Sequence, residues 1–345
     1  MGKCVRVLIW GAGAIGGTLG AYFARAGHEA TLVDIVAEHV DVVSRKGLHI
    51  TGPIETFSVR VPAFTPAELT GTWECILLCT KAQHTEEALG ALLPHLADHG
   101  YVVSVQNGLN ELVIADAIGE ARVIGSFVNF GADYLEPGVI HYGGRGAVVL
   151  GELDGEATER LAELHQLFLT FDEGAITTPN IWGYLWGKLA YGAMLFATAL
   201  TDASIADALD HPDYRTLYVA LGDEILSVAG ALDIRPEPFN GFDPHAFMPG
   251  TPEEVSQRSL DEMVVFNRKS AKTHSGIWRD LAVRKRRTEV DPQLGAIVEA
   301  GKRVQVATPL TERLITLIHE IEDGQRAQGW EALEALRETA PVERA

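Results

Sequence analysis

The sequence predicts an α/β chain in two parts: a doubly wound, mostly parallel-sheet domain over residues 1–180, then an all-helical domain over residues 181–345. Three observations carry this expectation. A short apolar run, Val5-Arg6-Val7-Leu8-Ile9-Trp10, feeds glycines spaced G-x-G-x-x-G. From there to about residue 180, strand-length apolar runs alternate with helical patterns. Beyond Ile181 the periodicity is helical almost throughout. A chain of 345 residues also exceeds one core of ordinary size.

The glycine stretch is Gly11-Ala12-Gly13-Ala14-Ile15-Gly16. In a dinucleotide-binding turn the first glycine permits the tight bend, and the second lets backbone approach a pyrophosphate. The third allows the following helix to pack closely on the strand, with its N-terminal N–H groups facing the phosphates. Glycine-rich turns are common, so the spacing alone is weak. Here a strand precedes it, a helix pattern follows it, and Asp34 closes a second strand about 20 residues on. The turn is therefore predicted to be a Rossmann-type cradle, with Asp34 at the ribose of the cofactor.

The other elements follow in order. A helix is expected over 37–45, then short extended pieces at 49–51 and 57–61 about a Gly52-Pro53 turn. Strands are predicted at 74–79, 101–105 and 122–128, with helices at 85–96 and from Asn110. Residues 139–150 read as a hairpin around Gly143-Gly144-Arg145-Gly146, 156–169 as a helix and 175–178 as a last strand. In the second half, helices are expected at 182–200, 214–232, 251–273, 292–304 and 310–327, with a Pro- and Phe-rich loop at 236–252. This helical part is expected to close over the nicotinamide end of the cleft and to carry substrate and dimer contacts.

Composition bounds the partners. A formal charge of −19 argues against nucleic acid and anionic membranes, while a local basic pocket can still hold an anionic small molecule. No apolar run approaches a membrane span, and the first apolar run ends in the glycine turn, unlike a signal peptide. Arg6 stands where N-myristoylation wants Ser or Thr. Cys4, Cys75 and Cys79 give no disulfide framework and read as buried thiols in a reducing cytoplasm. His95 and His99 have metal-like spacing without a third ligand, so they read as a helix end and no metal is expected.

Two loops border the predicted cleft, because ligands of open α/β sheets bind beyond the carboxyl ends of the strands. They are Thr80-Lys81-Ala82-Gln83 and Gln106-Asn107-Gly108. In the second half Lys188 is the only charge in a run that stays apolar or small from Ile181 to Leu200. Such a lysine either snorkels to the rim or is held for a task, and desolvation would suit it to giving up a proton near neutral pH.

Together these segments carry a resemblance. The Gly11 turn, Thr80-Lys81-Ala82, Gln106-Asn107-Gly108, Leu185-Trp186-Gly187-Lys188-Leu189-Ala190 and Thr288-Glu289-Val290-Asp291 fall in the order seen in ketopantoate (2-dehydropantoate 2-) reductases. That family couples a Rossmann domain to a helical domain of the 6-phosphogluconate dehydrogenase type. The resemblance covers about residues 4–310 and implies interconversion of a 2-keto acid and its 2-hydroxy acid with a nicotinamide cofactor. It implies Lys188 as general acid/base, Glu289 as the group orienting it or the substrate, and Asn107 between nicotinamide and substrate. It also puts Gly131 on a further cofactor-contacting position.

The chain departs from the family at the substrate. The family places asparagines four and eight residues after the lysine, where Gly192 and Phe196 stand, and a serine twelve before the glutamate, where Ile277 stands beside Ser275. A basic cluster (Arg268, Lys269, Lys272, Arg279, Arg284, Lys285, Arg286 and Arg287) mostly reads as a solvated face. His274 and Arg279 are the preferred candidates to grip a carboxylate. The resulting expectation is a small carboxylate substrate other than ketopantoate. NAD is expected over NADP, because Asp34 is followed by Ile35 where NADP-using relatives carry arginine, although Lys81 pulls the other way. A homodimer is the expected assembly. A sugar-acid or opine-type dehydrogenase and a non-catalytic nucleotide sensor are the alternatives, and retention of both Lys188 and Glu289 argues against the sensor.

Overall fold

A computed structural model of the chain describes residues 4–269 and 273–340. The chain divides into two compact units, one ending at Ile181 and one beginning at Trp182.

The first unit holds twelve strands among its described residues: β1 (Arg6–Trp10), β2 (Glu29–Val33), β3 (Leu48–Thr51), β4 (Phe57–Val59), β5 (Ala63–Phe64), β6 (Trp73–Leu78), β7 (Leu96–Ser104), β8 (Val123–Val128), β9 (Gly131–Glu136), β10 (Val139–Gly144), β11 (Val148–Glu152) and β12 (Ile176–Thr177). Eight form one sheet in the order β12-β11-β8-β7-β6-β1-β2-β5. All its pairings are parallel except β11 on β8. The near-continuous apolar runs of β1, β6 and β8 follow from this position, since a parallel sheet is covered on both faces. The order reverses between β1 and β6, which is where open α/β sheets bind ligands. Single hydrogen bonds extend the ladder past the strand ends: Gly11 N–H to Val33 O at 2.8 Å, Cys79 N–H to Trp10 O at 2.8 Å and Val105 N–H to Leu78 O at 2.9 Å. The glycine turn and both candidate loops therefore leave one edge of the sheet side by side.

The expected hairpin at 139–150 is not formed. β10 pairs antiparallel with β9 and parallel with β3, inside a separate four-stranded sheet ordered β4-β3-β10-β9. β11 instead joins the large sheet. Burial explains the separation: every residue of β11 is buried, as a strand covered on both faces requires, whereas β10 is buried only at alternate positions through Tyr142. The turn into β10 is made by Pro137 and Gly138, the latter at φ 78°.

Other corrections are smaller. The helix at 85–96 stops at Leu92, and β7 opens at Leu96, so His99 lies in a strand and not at a helix end. Cys4 is exposed rather than buried. Burial pushes the Cys75 thiol up to about 12, leaving it inert at neutral pH.

The second unit is helical. Its helices are Ile181–Thr198, Ile205–Asp210, Arg215–Ala231, Glu253–Lys269, Gly276–Trp278, Ala296–Val304, Pro309–Glu322 and Trp330–Arg337. Two single π-turns, Arg279–Val283 and Asp291–Gly295, precede ordinary chain or helix. The start of Pro309–Glu322 is capped by Glu224, whose carboxylate accepts from Leu310 N–H at 2.9 Å and Thr311 N–H at 2.8 Å. No helix is long and apolar enough to cross a membrane among the described residues.

Candidate active site

In the first unit the three glycines occupy three different environments. Gly11 has φ 101°, and a Cβ there would lie 2.8 Å from Thr80 N and 2.9 Å from Cys79 C. Gly16 is tighter: its Cβ would sit 2.1 Å from Gly11 O and 2.8 Å from Ile9 Cγ2. Gly13 is the reverse, with no heavy atom within 4 Å of the same point. The helix Ala14–Arg25 starts above that open space with no side-chain cap and no acid in its first turn. An uncapped helix start facing open space at a glycine suits a pyrophosphate, which supplies the acceptors and the negative charge. The residues present therefore fit a dinucleotide.

Asp34 follows β2 at this edge. Its carboxylate accepts from Ala12 N–H and from Val36 N–H, each at 2.9 Å. Ile35 beside it is 79% exposed and Val36 47%, an apolar surface beside a carboxylate. Lys81 is exposed and Asn107 half-buried. Their loops are fastened together by Gln106, whose Nε2 donates to Thr80 O at 3.0 Å and Thr85 Oγ1 at 2.9 Å. Asn110 Nδ2 donates to Asn107 O at 2.6 Å, and Thr85 Oγ1 donates to Asn110 Oδ1 at 2.9 Å. Gly131 opens β9, opposite Gly144 in the smaller sheet.

A residue that the sequence did not single out also holds the turn. His39 is buried, takes the Gly138 N–H on Nδ1 at 3.0 Å and so donates from Nε2 to Ala12 O at 3.0 Å. Burial pushes its imidazole below the usual histidine value, against the opposing charge of Asp34. A histidine on an amphipathic helix has no sequence signal that distinguishes it from a surface residue.

In the second unit Lys188 and Gly192 are half-buried and lie one turn apart on the Ile181–Thr198 helix. Phe196, a further turn on, is fully buried. It belongs to the core of this unit. Glu289 is 8% exposed and sits just before the Asp291–Gly295 π-turn. Its segment is pinned to the end of the Pro309–Glu322 helix. Glu322 accepts from Thr288 N–H at 2.7 Å, Thr288 Oγ1 at 2.8 Å and Arg287 Nη1 at 2.8 Å, and Asp291 meets His319 at 3.1 Å. Gln293, one turn after Glu289, places Oε1 3.8 Å from where a Cβ on Gly192 would stand. Lys188 and Glu289 are thus each one turn from a single point of contact. Glu322 and Gln293 also escaped sequence reading, because nothing local marks them.

Four arginines of the basic cluster are paired with acids. Arg268 bonds Asp210 at 2.6 Å, Arg284 and Arg286 both bond Asp280 at 2.9 Å, and Arg287 reaches Glu322 and Asp323. Lys269 and Lys285 are exposed, and Lys272 lies outside the described residues. Ser275 is buried and its hydroxyl accepts from Trp278 N–H at 3.1 Å, so it caps the Gly276–Trp278 turn. His274 is held by Thr273 Oγ1 at 2.9 Å, the Asp202 carbonyl at 3.3 Å and the Trp278 ring at 4.1 Å. Arg279 is half-buried at the start of the first π-turn. Among the described residues no group of three His, Cys, Asp or Glu is placed to hold a metal ion.

Fold and glycine turn together define a Rossmann-type, dinucleotide-binding protein with a helical second unit. Comparison with known proteins specifies the class. The profile described as "Ketopantoate reductase PanE/ApbA" matches residues 7–155, and "Ketopantoate reductase PanE/ApbA C terminal" matches residues 180–322. The chain belongs to the ketopantoate reductase family. It is 27% identical over 323 residues to a 2-dehydropantoate 2-reductase of Streptococcus pyogenes serotype M3, covering 92% of this chain and 97% of that one. An Aquifex aeolicus protein of the same name is 29% identical, covering 91% and 96%. Among solved structures, a PanE/ApbA family ketopantoate reductase from Ralstonia eutropha JMP134 superposes with TM-score 0.76 at 26% identity, covering 93% and 99%. A D-mandelate dehydrogenase solved with NADH and anilino(oxo)acetate shares the fold at TM-score 0.78 and 23% identity, covering 92% and 99%.

Proposed function

We propose that this protein is an NAD-preferring oxidoreductase that interconverts a small 2-keto acid and its 2-hydroxy acid, with Lys188 as general acid/base. The observation that carries the reading is the seam in the second unit. Lys188, the one charge on an apolar helix, stands a turn from the point where that helix meets the Glu289–Gln293 segment. A bound nicotinamide would supply or accept the hydride. In reduction, Lys188 Nζ gives a proton to the carbonyl oxygen as it becomes an alkoxide, and in oxidation it takes the hydroxyl proton back. Glu289 orients the ammonium or the substrate. Asn107 sits between nicotinamide and substrate, and Arg279 and His274 are the candidates to anchor the carboxylate.

The NAD preference rests on Asp34. A carboxylate there accepts the ribose hydroxyls and repels a 2′-phosphate, and Ile35 offers an adenine a flat apolar neighbour instead of a cation. Ketopantoate is not the best substrate in this reading. Gly192 and Ile277 provide no polar side chain, and the nearby Ser275 hydroxyl serves as a cap.

Lys188→Ala tests the chemistry. Turnover should fall by about 10²–10⁴, the usual worth of a positioned acid/base, with NADH affinity nearly unchanged. Glu289→Ala should also lose turnover, and the double variant should lose far less than the product. Near-normal turnover in Lys188→Ala would return that lysine to a rim residue. Ketopantoate emerging first from a panel of 2-keto acids by kcat/KM would refute the substrate assignment.

A further inference from the structure

We infer that Gln293 is the specificity-determining residue of this site, its side-chain amide hydrogen-bonding a polar group on the body of the keto acid that Lys188 protonates. The inference rests on the function proposed above. It starts from a contact between two segments. Outside its own helix, a Cβ at Gly192 would meet a single group within 4 Å, Gln293 Oε1 at 3.8 Å, so that amide packs on this face of the helix at contact distance. Residues four apart share a helix face, so Lys188 opens onto the same side.

The backbone that carries the amide is also fixed. Gln293 N–H donates to Glu289 O at 3.2 Å, which fixes it one turn after Glu289. It lies inside the Asp291–Gly295 π-turn, a device that rotates side chains away from ordinary helical register and recurs at functional sites. The residues before it are clamped through Thr288 to Glu322 and through Asp291 to His319. Gln293 and Gly192 are both half-buried. A glutamine on this backbone offers one acceptor and two donors over Gly192, one helical turn from Lys188. That suits a hydroxyl, carbonyl or second carboxylate on the substrate, and it leaves a purely hydrocarbon body without a partner.

The test uses the full-length protein, saturating NADH and two sets of 2-keto acids, one with aliphatic bodies and one with hydroxylated or dicarboxylic bodies. Q293L should raise KM for the polar set by about tenfold or more and leave the aliphatic set within about twofold, with NADH affinity and melting temperature unchanged. G192N/Q293A returns an amide from the facing helix and should recover part of the lost preference. Unaltered ranking of the two sets in Q293L overturns the assignment while leaving the proposed reaction intact. No turnover of any acid by the wild type, with no quenching of the NADH complex by oxamate, overturns both.

Discussion

The glycine turn allows fold and binding to be separated by two substitutions three residues apart. In Gly16→Ala the new methyl lies 2.1 Å from Gly11 O and 2.9 Å from Cys79 Cβ, and backbone supplies the closest contact. No rotamer change relieves it, so the Ala14–Arg25 helix or the turn must move. Overpacking of this kind costs about 1–3 kcal/mol. For a unit of this size that lowers the melting temperature by about 2–12 °C. Gly13→Ala meets no atom within 4 Å, and its φ of −70° is open to alanine. Its melting temperature should stay within about 2 °C of wild type. Its methyl, however, projects where a pyrophosphate approaches, so NADH affinity should fall by about tenfold or more. Thermal melts and NADH fluorescence titrations of the two variants decide the matter. Wild-type NADH affinity in Gly13→Ala, or a Gly13→Ala melt as low as that of Gly16→Ala, would refute the assignment of the open space to the cofactor.

Three further outcomes are expected. Asp34→Ala should weaken NADH binding by about tenfold and NADPH binding by less, measured by parallel titrations, since a charge-assisted partner is worth about 1.5–3 kcal/mol. His39 is neutral in the fold, with its value held below the ordinary one of about 6.5, so the folded state binds fewer protons than the unfolded chain. Its contribution to stability is complete above about pH 6.5 and declines as the pH drops below it. Melts from pH 8 to pH 5 should show this slope, shallower in His39→Leu and still present because His28 is shifted the same way by burial. Glu322→Ala strands the Thr288 donors, at a cost of about 1–3 kcal/mol. It should reduce turnover although it leaves Lys188 and Glu289 in place, and activity equal to wild type would show that the clamp does not position Glu289.

The sequence made the large sheet legible because its strands are short, apolar and punctuated, and because the glycine spacing stands between a strand and a helix with an acid closing the next strand. It did not reveal the partition of β10 and β11 between two sheets. Val139 to Leu150 contains two strand patterns and four small residues between them, which locally is indistinguishable from a hairpin. Pairing was decided by burial of both faces of β11, a tertiary quantity. The candidate site was legible where a residue stands out from its surroundings, as Lys188 does in an apolar helix. It was illegible where the role is to hold. His39 and Glu322 are ordinary polar residues on helical segments, and their hydrogen-bond partners lie 27 and 34 residues away in sequence.

The Pro309–Glu322 helix has an acid at work at each end. Glu224 receives the N–H groups of its first turn, while Glu322 leaves its last turn to hold Thr288 and Arg287. Its 14 residues span about 21 Å as a single rod. Glu289 therefore hangs from one end of a strut whose other end is seated on the Arg215–Ala231 helix. Loosening the seat at Glu224 would let the strut pivot, and the far end, where the glutamate is aimed, would swing the most. In such an arrangement a substitution remote from the chemistry is read as a loss of alignment before it is read as a loss of fold.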